Sequence, residues 1–162
     1  MCGSIAIDPL FEMTKSRLNA GSKGCAGCNR QSDCAKRSFN IDPDGALYTC
    51  LEMADAGIYR IGDCNARSFS MKTWVDIGRR EFEIRRSCGS CPYYASCKGG
   101  CLVDSYQSGA GPYSKTPLCS QYKELFQHID DAISARGVVE SRRWLSLLEV
   151  PKHAVSDGHN RL

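Results

Sequence analysis

Long apolar runs and a secretion signal are both missing from this chain of 162 residues. Although 42% of its residues are hydrophobic, no apolar stretch is long enough to span a membrane. The first twenty residues, Met1 to Ala20, lack the basic start followed by an apolar run that marks a secretory signal. We therefore expect a cytoplasmic protein with no membrane partner.

The chain also lacks a strong excess of either charge. Its 21 Lys and Arg residues exceed its 18 Asp and Glu residues by only +3 when every cysteine is counted as neutral. A site in which four thiolates hold a zinc ion or a 2+ cluster core carries about −2, so two such sites would lower the net charge to about −1. The composition therefore predicts no nucleic-acid partner.

Histidine is scarce, with three residues in the whole chain. His128 lies in a predicted helix beside Ile129, where a surface position is the simpler interpretation, and His153 and His159 lie in a polar tail. None of them is predicted to bind a metal.

Cysteine, by contrast, is abundant. An odd number of cysteines, eleven, in a chain without a secretion signal favours metal ligation over disulfides. The densest group is Cys88-x2-Cys91-x5-Cys97-x3-Cys101, and Gly89, Gly99 and Gly100 lie between its cysteines. Glycines allow the tight turns that bring thiols, and the N–H groups that stabilise them, around a metal.

A second group lies upstream, as Cys28-x5-Cys34-x10-Gly45-x4-Cys50, and Cys119 follows downstream as a lone thiol. Together with the dense group these make eight cysteines, enough for two sites of four ligands. The simplest partition by position places Cys88, Cys91, Cys97 and Cys101 on one metal and Cys28, Cys34, Cys50 and Cys119 on the other. Cys25 is an alternative to Cys28 as the first ligand, and Cys2, Cys25 and Cys64 are otherwise predicted to have no metal role.

Hydrophobic periodicity predicts helices before, between and after the cysteine groups. They cover about residues 8–18, 70–86, a segment from just after Cys119 to Gly137, and 138–150. Residues 38–49 are predicted to form a β-hairpin with turn residues at its tip. The predicted fold is thus small, metal-stabilised α+β, with a hairpin and cysteine-rich loops around two metal sites and amphipathic helices at the flanks.

The helix over 70–86 is predicted from an apolar stripe with helical spacing. The stripe consists of Met71, Trp74, Val75, Gly78 and Phe82. Trp74 and Trp144 are interpreted as core residues. The basic run of Arg79, Arg80, Arg85 and Arg86 is interpreted as the solvated side of the helix, and Tyr93 and Tyr94 as cover that packs over the sulfurs.

The order Cys34-x10-Gly45-x4-Cys50, Cys88-x2-Cys91-x5-Cys97-x3-Cys101 and Cys119 resembles the seven-cysteine SPASM signature of radical S-adenosylmethionine maturases. Cys28 lies where the anaerobic sulfatase-maturating branch of that family has an eighth ligand. The resemblance covers residues 25–135, so residues 1–24 are predicted to form an N-terminal helix and connector and residues 136–162 a helical extension and tail.

The resemblance implies two [4Fe–4S] clusters with interleaved ligands. One cluster would be held by Cys28, Cys34, Cys50 and Cys101, and the other by Cys88, Cys91, Cys97 and Cys119. The implied function is that of an auxiliary cluster domain for electron transfer and substrate positioning in a peptide or protein maturase, of the kind that modifies ribosomally made peptides. Zinc or iron could fill the same thiolates in protein produced aerobically.

The Cys-x3-Cys-x2-Cys motif that holds the radical-generating cluster in this enzyme class is not found. Cys97 and Cys101 have the first spacing, but Asp104 stands where the third cysteine would be. Signals for a barrel are also too few. The chain alone is therefore not expected to cleave S-adenosylmethionine. The resemblance implies a catalytic barrel on the same or a separate chain, a peptide substrate, and an electron donor such as ferredoxin or flavodoxin.

Two further functions compete with this interpretation. The same thiolates would serve a binding module with two structural zinc ions, or a stand-alone ferredoxin-like electron carrier. Within the maturase interpretation, sulfatase-maturating relatives carry an aspartate directly after the third cysteine of the first site, where this chain has Leu51. That difference argues against formylglycine formation and leaves other modifications, such as thioether or carbon–carbon crosslinks, open.

Overall fold

A computed structural model describes residues 10–19, 33 and 38–148 of the chain. The predicted ligands Cys28 and Cys34 lie outside the described residues, and so do Cys2, Cys25 and the C-terminal tail.

The described part is α+β, as predicted, with one antiparallel sheet and seven helices. The helices are α1 (Leu10–Leu18), α2 (Leu51–Asp55), α3 (Met71–Cys88), α4 (Tyr94–Cys97), α5 (Leu102–Gln107), α6 (Cys119–Arg136) and α7 (Val138–Leu148). The strands are β1 (Asn40–Ile41), β2 (Ala46–Tyr48), β3 (Gly62–Asp63) and β4 (Ser68–Phe69). Among these helices, none has the length and the apolar character needed to cross a membrane.

The sheet is a four-stranded antiparallel meander in the order β1-β2-β3-β4. Its first hairpin is the predicted one, with Ile41 opposite Leu47. At the tip, Gly45 has a φ of 89°, and Asp44 accepts a hydrogen bond from the Ala46 N–H at 2.9 Å. The second hairpin, β3 and β4, was not predicted because its two-residue strands are too short to show an alternating pattern.

A hydrophobic core, called here the sheet core, joins the sheet to α2, α3 and α5. Its buried members are Ala46, Tyr48, Met53, Ile61, Ile77, Leu102 and Val103. Cys50 and Cys101 pack against it. Two of the predicted ligands are therefore attached to the sheet core.

A second core, called here the helical core, is built from α1 and α6. It contains Met13, Phe126 and Ile129, and Tyr93 and Cys97 pack against it. Helix α7 packs on both α1 and α6. Gly137, with a φ of 88°, ends α6 as predicted, and α7 follows directly.

Helix α3 has nearly the predicted bounds, but most of the apolar stripe from which it was predicted faces solvent. Met71, Val75 and Phe82 of the apolar stripe are 58%, 50% and 69% exposed. The buried residues lie on the opposite face and are Ile77, Arg80 and Ile84.

The interpretation of the basic run as solvated is wrong at one position, since Arg80 is fully buried. Its guanidinium can occupy the interior because backbone carbonyl groups accept its hydrogen bonds there. The prediction for Trp144 is also wrong, since this side chain is 41% exposed, whereas Trp74 packs against the sheet core.

Candidate metal centre

Six of the eight predicted ligands lie in the described part of the chain, at or beside the ends of helices. They are Cys50, Cys88, Cys91, Cys97, Cys101 and Cys119. All six are free thiols, and so is the exposed Cys64 in the turn between β3 and β4.

Four of these thiols come from three helix ends and one turn. Cys88 ends α3, Cys91 lies in the turn that follows, Cys97 ends α4, and Cys119 begins α6. The turn is held by a hydrogen bond of 2.9 Å from the Cys91 N–H to the Cys88 carbonyl oxygen. We call these four residues the cavity thiols.

Electrostatic contacts show that the cavity thiols are neighbours. Burial raises the pKa of the Cys97 thiol, and the backbone N–H of Gly99, which donates to the Cys97 sulfur, opposes that shift. Negative charge on Cys119, Cys88 and Cys91 raises the pKa of Cys97 further. Four residues spread over more than thirty positions of sequence thus lie within reach of one another.

The four thiols surround a cavity of about 360 Å³. Its other lining residues include Tyr93, Tyr94, Phe126, Lys115 and Lys123. Within the described ranges, no three His, Cys, Asp or Glu side chains are arranged to hold one metal ion. The cavity between the four thiols thus has walls of aromatic and cationic side chains.

Tyr93 and Tyr94 line this cavity, in agreement with the prediction that they cover the sulfurs. The Tyr93 ring stacks on Phe126 with 5.4 Å between centroids, and its hydroxyl donates to Gln127 Oε1 at 2.7 Å. The Arg17 guanidinium of α1 lies 5.1 Å from the centroid of the Tyr93 ring. It also makes a two-pronged ion pair with Asp130, with N···O distances of 2.8 and 2.7 Å.

The loop between Cys97 and Cys101 has three successive left-handed residues, Lys98, Gly99 and Gly100, with φ of 51°, 81° and 77°. A Cβ on Gly99 would lie 2.4 Å from Ile84 Cγ2, and one on Gly100 would lie 2.5 Å from Thr116 Cβ. Both glycines are therefore required by conformation and by space.

The other two described ligands, Cys50 and Cys101, are called here the sheet-side thiols. Burial raises the pKa of Cys101, the backbone N–H groups of Asp104 and Val103 oppose the shift, and the charges of Asp104 and Cys50 add to it. Cys101 directly precedes α5 and Cys50 directly precedes α2. The two thiols are thus neighbours although fifty residues separate them.

Cys97 thus lies near Cys88, Cys91 and Cys119, and Cys101 lies near Cys50. Which thiols share a metal stays a prediction, both for the interleaved sets that the resemblance implies and for the partition by position. Cys28 and Cys34 belong to those predicted sets and lie outside the described residues.

Sequence reasoning missed two residues that shape these sites, Arg80 and Arg17. The available signal for Arg80 was that it shares one face of α3 with Ile77 and Ile84, but its place in a run of four arginines favoured a solvated position. No local pattern distinguishes Arg17, because its partners, Asp130 and Tyr93, lie in distant segments.

Comparison with known proteins identifies relatives of this chain. It is 26% identical over 126 residues to a cysteine-type anaerobic sulfatase-maturating enzyme of Clostridium perfringens strain ATCC 13124, a match that covers 73% of the chain and 32% of that enzyme. The corresponding enzyme of C. perfringens strain 13 is 24% identical over 124 residues, with the same coverage. The mycofactocin maturase MftC of Mycobacterium tuberculosis is 29% identical over 85 residues, which cover 50% of the chain and 22% of MftC.

These relatives are radical S-adenosylmethionine maturases of the SPASM group, which confirms the resemblance seen in the cysteine spacing. The chain spans about a third or less of the length of each relative. No protein-family model matches it, and no solved structure does either.

Proposed function

We propose that this chain, whose relatives are radical S-adenosylmethionine maturases, is an auxiliary module that holds two [4Fe–4S] clusters. The cavity thiols would hold one cluster, and Cys28, Cys34, Cys50 and Cys101 the other. The module would act with a catalytic barrel, on the same or a separate chain, and with a peptide substrate. The relatives' names as maturases support this role.

One observation carries the proposal, namely the cavity of about 360 Å³ between Cys88, Cys91, Cys97 and Cys119. A closed zinc site places its four sulfurs about 2.3 Å from one ion and leaves no such space between them. A cluster of four irons and four sulfides needs room and puts each cysteine on a different iron. The cavity therefore favours a cluster over a structural zinc ion.

The cavity walls also suit an anionic cluster. Lys115 and Lys123 supply positive charge, and Tyr93, Tyr94 and Phe126 supply apolar surface. The N–H of Gly99, which donates to the Cys97 sulfur, is the kind of contact that stabilises a thiolate ligand.

When bound, cysteine-ligated clusters of this type supply one-electron redox chemistry. The protein's own residues would hold the thiolates, keep water from the sulfurs through the tyrosines, and anchor the two sites to separate cores. Leu51, which is 65% exposed, stands where the sulfatase-maturating branch has an aspartate. Its hydrocarbon side chain has no acidic proton to transfer, so we do not propose formylglycine formation.

The test is to produce the protein anaerobically and count its metal. The wild type should absorb broadly near 400 nm and contain about eight irons and eight sulfides, as two four-cysteine cubane clusters require. Stoichiometric zinc in place of iron in this material would overturn the proposal.

Ligand variants then test which cysteines share a cluster. Cys97→Ala and Cys101→Ala should each retain about four irons, because each removes a ligand of a different cluster. The double variant should retain almost none. If Cys97 and Cys101 belonged to one site, the double variant would keep the other cluster and about four irons. Cys64→Ala, which removes an exposed thiol outside the motif, is the control and should keep all eight.

A further inference from the structure

Arg80 is a fully buried arginine on the inner face of α3, beside the segment that connects the two thiol groups. Its Nη2 donates to the carbonyl oxygens of Gly99, Gly100 and Cys101 at 3.4, 3.0 and 3.3 Å. Its Nη1 donates to the Ser114 carbonyl oxygen at 2.8 Å and to that of Pro112.

These acceptors belong to two segments that both lead to ligands. Gly99 follows Cys97, a cavity thiol, and its N–H donates to the Cys97 sulfur. Cys101 is itself a sheet-side thiol. Ser114 lies on the segment that leads to Cys119, and that segment is tied to the first by a hydrogen bond of 2.8 Å from the Thr116 N–H to the Gly99 carbonyl oxygen.

We propose that Arg80 is a positioning residue shared by both clusters, which holds the Gly99–Cys101 segment between them and adds positive charge that favours their reduced states. This inference rests on the proposed function, since it concerns what the two thiol groups hold. Arginine suits the task because its planar fork presents five donors and remains protonated when buried.

The direction of the effect follows from charge. A cluster with a 2+ core and four thiolates carries −2, and reduction adds one more negative charge. A cation fixed in the interior near both sites stabilises the reduced form of each, by roughly tenfold in the reduction equilibrium if the separation is near 10 Å and the effective dielectric constant near 20. For a one-electron step, tenfold corresponds to about 59 mV.

The experiment compares Arg80→Met, Arg80→Gln and Arg80→Lys with the wild type, all produced anaerobically. Arg79→Gln, which alters the exposed neighbour on the same helix, is the matched control. Iron and sulfide are counted first, and the reduction potential of each cluster is then measured by optical and electron paramagnetic resonance titration.

We expect both potentials to become more negative in the two neutral variants, to stay closer to the wild-type values in Arg80→Lys, and to be unchanged in Arg79→Gln. Loss of iron from both sites in the neutral variants, with retention in Arg80→Lys, would equally support the shared role. Unchanged potentials in an iron-loaded neutral variant, or a shift in only one cluster, would overturn the inference.

If all three Arg80 variants, including Arg80→Lys, lost iron together with their native circular dichroism, Arg80 would be an ordinary core residue and the inference would be wrong. A wild type that binds no iron would overturn the proposed function itself. A wild type with about eight irons that is insensitive to Arg80 would overturn this inference alone.

Discussion

The cavity thiols and the sheet-side thiols differ in what surrounds them. The cavity thiols lie at helix ends around an open space, with the helical core on one side. The sheet-side thiols Cys50 and Cys101 pack against the sheet core, which contains seven buried residues. One site is thus framed by helix ends, turns and aromatic cover beside a core of three buried residues, and the other is attached to the larger sheet core.

This difference indicates what each region would need in order to fold. The sheet region has cross-strand hydrogen bonds and apolar burial that can form without a metal. The segment over residues 89–100, which carries Cys91 and Cys97, has only a four-residue helix and tight turns. Such a segment cannot bury enough apolar surface to offset the conformational entropy of ordering it, so the metal should contribute most of its stability.

The largest expected effect is therefore that of metal removal. Chelation of anaerobically loaded protein should abolish its cooperative thermal transition, because a structural metal site contributes about 10–16 kcal/mol in small peptides and a whole domain is stable by only about 5–15 kcal/mol. Circular dichroism and thermal unfolding measure this loss.

Hydrogen exchange on the chelated protein would sharpen the comparison. Amides of residues 88–100 should lose protection completely, whereas those of β2 and β3 should keep a residual part of it. A metal-free protein that retained its cooperative transition, or that lost protection first in the strands, would contradict the expected difference.

A smaller effect is expected from two buried methionines, one in each region. Met13 belongs to the helical core and Met53 to the sheet core, and both are fully buried. Replacement by alanine should lower the free energy of unfolding by about 2–5 kcal/mol in each case, through lost burial and the cavity that remains. Denaturant titration of loaded protein measures both losses.

The matched pair also tests whether each core supports its own cluster. In a Cys101→Ala background, which is expected to retain only the proposed cavity cluster, Met13→Ala should accelerate iron release and Met53→Ala should not. In a Cys97→Ala background the two effects should be exchanged. Equal acceleration in both backgrounds would show that the two regions behave as one unit.

Part of this architecture could be predicted from the sequence. The first hairpin and the helices α3, α6 and α7 were predicted close to their observed bounds, because their patterns extend over enough residues to be read. Other elements are too short for such a pattern. Helices α2, α4 and α5 have six residues or fewer, and each strand of the second hairpin has two. Their formation depends on tertiary contacts.

The face that α3 buries could not be predicted in the same way. A stripe of apolar residues indicates a helix, but the choice of inner face depends on what the neighbouring elements offer. Here Ile84 packs over Gly99 and Arg80 reaches backbone carbonyls of the cysteine loop, so the face with an arginine is inside and Phe82 is outside. Similarly, spacing alone left two partitions of the cysteines open, and the structure separates Cys97 from Cys101 through three left-handed residues.

The smallest expected effect concerns Arg17, which connects α1 to the cover of the cavity. Arg17→Met should lower the free energy of unfolding by about 1 kcal/mol, because the partly exposed, two-pronged ion pair with Asp130 and the contact with the Tyr93 ring are lost together. The hydrogen bond to Asp130 raises the pKa of Arg17, so the contribution of the Arg17 charge is fully present at neutral pH and is lost as the pH rises through that elevated value.

The Arg17 effect should be confined to the cavity site. In the Cys101→Ala background, Arg17→Met should speed the loss of the cluster in air, since Tyr93 is then less firmly held over the sulfurs, whereas in the Cys97→Ala background it should not. Arg143→Met is the matched control, because Arg143 is an exposed arginine of α7 that makes a long ion pair, of 3.9 Å, with the exposed Glu140. If the sheet-side cluster decayed as much as the cavity cluster, or if Arg143→Met had the same effect, α1 would not act as cover for the cavity, and the contrast between the two regions would be reduced to their cores alone.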